Sequence, residues 1–70
     1  MKTYMELSTW ENGRLKATVL RTSGLEQNYF GCRFYIDNNS LGIEWYEDKS
    51  EPYAVDAAEN YIAGIKKYPV

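Results

Sequence analysis

Cys32 is the one thiol in this chain, and with no histidine anywhere the acid–base chemistry open to the sequence falls to carboxylates. A reactive thiolate needs partial exposure and a cationic neighbour. Cys32 sits in the alternating run Tyr29-Phe-Gly-Cys-Arg-Phe-Tyr-Ile36 on the same parity as Phe30, Phe34 and Ile36, while Arg33 has the opposite parity. The thiol therefore reads as a small buried hydrophobe rather than a nucleophile. The carboxylates Glu44, Glu47, Asp48, Glu51, Asp56 and Glu59 could supply a hydrolytic pair only if the fold held two of them at a set separation. No motif does so, and they read as a solvated acidic edge.

The stretch Asp37-Asn38-Asn39-Ser40 has the opening residues of a calcium loop but lacks its central glycine and downstream glutamate, so it reads as a turn. Neither a phosphate-cradling glycine loop nor a nucleophile elbow occurs. The expectation is a protein that is not an enzyme, with no cofactor and no metal. What the chain offers instead is contact chemistry: seven tyrosines, two tryptophans and well-spaced arginines. These residue types are enriched at binding hot spots because each joins a large apolar area to a polar handle. The candidate binding face comprises Tyr4, Trp10, Arg14, Lys16, Tyr29, Arg33, Tyr35 and Tyr46. It suits a protein partner or a second copy of the chain, at this face or at an exposed strand edge. Single-stranded nucleic acid stacked on the same aromatics is the alternative.

The elements that must position these residues follow from the apolar period. Tyr29 to Glu47 reads as a β-hairpin, with Phe30, Cys32, Phe34 and Ile36 inward on its first strand. A two-residue Asn38-Asn39 turn then places Leu41, Ile43 and Trp45 inward on the second strand, opposite Ile36, Phe34 and Cys32. The same register sets Arg33 opposite Glu44 on the outer face, and a slip of one residue breaks both patterns. Upstream, Thr3 to Trp10 and Leu15 to Arg21 alternate as strands. A three-residue Glu11-Asn12-Gly13 loop would pair Thr9 with Leu15, Leu7 with Ala17 and Met5 with Val19, and would bring Trp10 beside Arg14. Thr22 to Asn28 reads as the loop joining the two hairpins.

Ser50 and Pro52 open a helix whose apolar stripe is Ala54, Ala57, Ala58, Tyr61, Ile62 and Ile65. Asp56, Glu59, Asn60, Ala63 and Lys67 form its polar face, Gly64 weakens its end, and Tyr68-Pro69-Val70 lies beyond it. The fold class is α+β: a four-stranded antiparallel meander with one C-terminal helix packed on one face, ββββα. The expected core is Met5, Leu7, Ala17, Val19, Phe30, Cys32, Phe34, Ile36, Leu41, Ile43, Trp45, Ala54, Ala58, Tyr61, Ile62 and Ile65.

Seventy residues read as one small domain, 1–70, near the size below which a single core needs help from a metal, disulfides or association. One cysteine forms no intrachain disulfide, which suits a cytoplasmic, reducing setting. Met1 is followed by no hydrophobic leader, and no run of about 20 apolar residues suggests a membrane span. A net charge of -2 gives no global attraction for nucleic acid or anionic lipid. The segment from Glu44 to Tyr68, through Tyr53, Ala54, Asp56, Ala57, Ala58, Glu59, Asn60, Tyr61 and Gly64, resembles the ending of short uncharacterised proteins of marine cyanophages. That resemblance covers about a third of the chain, implies a phage or marine metagenomic origin and, if the chain is phage-encoded, a bacterial host cytoplasm, and transfers no functional residue. In topology the reading is similar to the AP2-type and integrase amino-terminal DNA-binding domains. Their open sheets carry more arginine than this face, which mixes Glu6 and Glu44 with its aromatics.

Overall fold

The computed structural model describes residues 3–24 and 26–68, and Leu25, Pro69 and Val70 lie outside it, as do Met1 and Lys2. Four strands, β1 (Tyr4–Asn12), β2 (Leu15–Thr22), β3 (Phe30–Ile36) and β4 (Asn39–Tyr46), pair antiparallel in chain order. The helix α1 (Glu51–Ile62) packs across one face on β1, β2 and β3. This is the ββββα α+β fold that the periodicity implies. Its core under the helix joins Ala17 and Val19 of β2, Cys32 and Phe34 of β3, and Ala54, Ala58 and Tyr61 of α1. Small alanines let α1 approach closely, so Tyr61 meets the Phe34 ring at 4.7 Å between centroids and its hydroxyl donates to the Tyr35 carbonyl at 3.0 Å.

Both hairpin registers differ from the sequence expectation, and each difference has a local cause. The β3–β4 turn is Asp37-Asn38 rather than Asn38-Asn39, with positive φ at both residues (52° and 67°), as a tight primed turn requires. Arg14 holds it there. Its guanidinium donates two bonds to the Asp37 carboxylate, at 2.9 and 2.6 Å, and the Asp37 N–H donates to the Arg14 carbonyl at 2.8 Å. Together with a bulge near Leu41, this turn sets Cys32 opposite Glu44, Gly31 opposite Trp45 and Phe30 opposite Tyr46. Every β4 side chain past the bulge therefore takes the face opposite to the expected one.

The β1–β2 turn is Gly13-Arg14, closing on the pair Asn12 and Leu15, and the register shifts again at a bulge between Glu6 and Ser8. Trp10 consequently pairs with Ala17 and packs against the core under the helix, not beside Arg14.

The core differs accordingly. Ile43 and Trp45 lie on the helix-free face by register, while Met5, Leu7, Leu41 and Ile65 are exposed. Leu20 is fully buried although it faces away from the helix, in the row Glu6, Leu20, Gly31, Trp45. Gly31 makes this row work. A Cβ there would stand 2.4 Å from Cε3 of Trp45 and 2.8 Å from the Glu44 carbonyl oxygen, so only glycine leaves room for the indole to cross toward Leu20. The helix stops at Ile62, earlier than the apolar stripe suggests, because Gly64 takes φ +83° and the Asn60 carbonyl accepts the N–H groups of Ile65 and Lys66. Ser50 occupies the N-cap position without a side-chain capping bond. Beyond Gly64 the chain returns over the sheet, where the Tyr68 ring stacks on Phe34 at 4.9 Å.

Gly31→Ala should lower stability by about 2–3 kcal/mol, an overpacking penalty. Gly13→Ala, where no atom stands within 4 Å of the position a Cβ would take, should cost about 1 kcal/mol from its positive φ alone. Urea denaturation of the two variants checks the ranking, and equal losses would refute the close approach of Trp45.

Candidate functional site

The helix-free face is built from four rows. Glu11, Lys16, Tyr35 and Ser40 form one, then Thr9, Thr18, Arg33 and Ile43, then Glu6, Leu20, Gly31 and Trp45, with Tyr4 opposite Thr22 at the end. The polar floor is satisfied internally. Thr18 and Thr22 are each 3% exposed, the Thr18 hydroxyl shares a hydrogen bond with Thr9 at 3.2 Å, and Thr22 Oγ1 accepts the Tyr29 N–H at 2.9 Å.

Above that floor stands an aromatic cluster. Tyr4 and Tyr29 meet Trp45 edge-on, at 5.9 and 5.6 Å between centroids. The Arg33 guanidinium lies 5.5 Å from the Tyr4 ring centroid, and one of its terminal nitrogens donates to the Tyr4 hydroxyl at 2.5 Å. The Tyr35 phenol, more than any other group, raises the Arg33 pKa above its ordinary value, against burial and with help from Tyr4. Arg33 is therefore a permanent cation locked between phenols, and its buried Nε makes no hydrogen bond. Lys16 places its ammonium 4.4 Å from the Tyr35 ring centroid.

Of the eight candidate residues, Tyr4, Lys16, Tyr29, Arg33 and Tyr35 share this face or its rim. Arg14 spans the two turns instead, paired to Asp37. Trp10 and Tyr46 belong to the other face and pack against the helix-side core, because of the two register differences. Trp45 is the member that the sequence reading missed. The signal that could have found Trp45 is Gly31, a glycine in mid-strand beneath a cross-strand aromatic.

The exchange of β4 faces also creates polar chemistry under the helix. Glu44 Oε1 accepts from the Tyr46 hydroxyl at 2.6 Å and pairs with the Lys66 ammonium at 2.9 Å. Burial alone would raise the Glu44 pKa, yet these two donors bring it below the ordinary value, while burial and the Glu44 charge push the Tyr46 phenol up. These groups line a cavity of about 310 Å³ between β4 and α1, shared with Tyr53, Asp56, Ala57 and Asn60. Among the described residues, no group of three or more histidine, cysteine, aspartate or glutamate side chains could hold a metal ion. No described helix is long and apolar enough to cross a membrane.

Cys32 is fully buried beside Glu44, and burial first, then that carboxylate, pushes its thiol up from 9.0 to about 12. A disulfide reagent at pH 8 should accordingly leave the folded protein unmodified and label it at once in denaturant. Below pH 9.0 the thiol is protonated in both states. Between there and about 12 only the unfolded state ionises, so stability should fall as pH rises through that window, and less steeply in Cys32→Ala. Equal slopes in urea titrations would refute the burial of the thiol.

Compared with protein-family models, with curated proteins and with solved structures, the chain matches none.

Proposed function

We propose that this chain is a noncatalytic protein-binding module that self-associates through its helix-free sheet face, and that it is of phage type, as the resemblance of its C-terminal segment implies. The observation that carries the reading is the charge layout on that face. Glu6 and Glu11 lie along β1, and Lys16 and Arg33 lie on β2 and β3 beside exposed or half-buried aromatics. A two-fold axis running along the strands between β1 and β2 would set Glu11 of one copy over Lys16 of the other, and Lys16 over Glu11, making this part of the face complementary to itself.

The strand edges suit association less well. Both edge strands carry a bulge, near Leu7 in β1 and near Leu41 in β4, and bulged edges resist pairing with another strand. A small domain also gains more from covering a broad aromatic face.

Single-stranded nucleic acid is the second reading, favoured by the two cation–ring pairs, Lys16 with Tyr35 and Arg33 with Tyr4. Those cations already lie against rings that bases would need.

Light scattering of the purified protein, with and without a short mixed-sequence oligonucleotide, tests the proposal. A dimer is expected that ignores the oligonucleotide, that becomes monomeric in Tyr35→Ala/Glu11→Lys, and that persists in the helix-side control Tyr53→Ala. A wild-type monomer, or a dimer unaffected by the face variant, would overturn it. Oligonucleotide binding that falls steeply with salt would put the nucleic-acid reading in its place.

A further inference from the structure

We propose that the cavity between β4 and α1 is a binding site for a small organic ammonium ion carried on an apolar body. The cavity lies where α1, packed closely on β1, β2 and β3, reaches β4 through Tyr53 against Tyr46. At about 310 Å³ it is at the small end of ligand-pocket sizes. Its helical wall is a stripe spaced i, i+3, i+4, i+7, of which Tyr53, Asp56 and Asn60 carry polar groups.

Its charge balance favours a cation. Glu44 and Asp56 contribute two carboxylates and Lys66 one ammonium, but Lys66 is already bound to Glu44 at 2.9 Å. No cation of the described residues pairs with Asp56, which leaves one uncompensated negative charge at the cavity.

The acceptors match an ammonium head. Tyr46 and Lys66 both engage Oε1 of Glu44, so Oε2 receives neither bond. That oxygen, the Asp56 carboxylate and the Asn60 amide oxygen are three acceptors around one space, and a primary ammonium has three donors.

The walls match the rest of the ligand. Tyr46 and Tyr53 stand edge-on, 5.0 Å between centroids at 72°, and two phenol faces at that angle form half of an aromatic cage. Ala57 adds an apolar, nearly buried patch between them and the core. Tyr53 already attracts one cation, the Lys49 ammonium at 5.2 Å from its ring centroid, from a residue outside the cavity lining. An anionic ligand would instead meet Asp56 and find the one lysine occupied.

Three probes with a common phenylalkyl body separate the cases: 2-phenylethylamine as cation, phenylalanine as zwitterion and 3-phenylpropanoate as anion. Each is titrated into the full chain and followed by the amide signals of residues 44–46 and 56–60 and by calorimetry. The amine should shift both segments saturably, the amino acid more weakly and the anion not at all. Asp56→Asn, at an exposed position, should weaken amine binding about tenfold, the effect of losing a charged acceptor, while the amide spectrum stays folded. Tyr53→Ala should weaken it too. Equal binding of all three probes, preference for the zwitterion or anion, saturable shifts elsewhere, no saturable shift, or an Asp56→Asn variant that binds as the parent does would each overturn the proposal.

Discussion

The register between β3 and β4 governs what every surface of this molecule becomes, and a two-residue turn together with a one-residue bulge at Leu41 sets it. The turn at Asp37 and Asn38 fixes the closing pair Ile36 and Asn39, and the bulge at Leu41 then exchanges the faces, so that Gly31 comes opposite Trp45 and Cys32 opposite Glu44. Side chains alternate faces along a strand, so this choice decides what each side of the sheet can be. It sends the indole to the side the helix leaves open, and it sends a carboxylate and a phenol under the helix. The exposed fork from Arg14 to Asp37 has little energetic weight as an ion pair. Its importance is geometric, since it joins the two hairpin turns through side-chain and backbone bonds at once.

The sheet is consequently covered on both faces by different means. Under α1 lies a packed apolar core centred on Phe34, with Tyr61 and Tyr68 against its ring. On the other face, Leu20 and the threonines Thr18 and Thr22 are buried without any helix, by register beneath a cluster of Tyr4, Tyr29, Arg33 and Trp45. Gly31 supplies the depth for that cluster. The uneven placement of α1, over the first three strands only, leaves β4 to be flanked by the returning segment that carries Lys66 and Tyr68. The polar cavity arises in that gap. One surface thus offers rings and fixed charges in a broad plane, and the other offers a small half-open cleft.

Element existence was legible in the residues, and element register was not. Alternation from Leu15 to Val19 and from Phe30 to Ile36, and the alanine-rich stripe of the helix, are strong local periodic signals that packing then reinforced. The run Asp37-Asn38-Asn39 contains two overlapping pairs that both tolerate positive φ, and the choice between them rests on Arg14, 23 residues upstream. Either pair alone would have left Leu41, Ile43 and Trp45 on the helix side; the bulge at Leu41 turns Ile43 and Trp45 to the helix-free face, where Trp45 joins a second aromatic cluster. In β1 the bulge at Leu7 changes parity within the strand, so Met5 and Trp10 cannot be placed by one alternation. Five of the eight candidate contact residues do lie together. Of the two that changed sides, Trp10 did so through the Gly13-Arg14 turn and Tyr46 through the bulge at Leu41.

Both surfaces follow from Trp45 lying across Gly31 on the helix-free face, and proton NMR of the indole reads that placement. The Gly31 α-proton that stands in the place of a Cβ should show nuclear Overhauser contacts to the Trp45 six-membered ring and a ring-current shift upfield, together with contacts from that ring to Tyr4 and Tyr29. Contacts from the indole to Phe34 and Tyr61, with Gly31 at ordinary shifts, would place Trp45 under the helix and rule out the register on which both proposals rest.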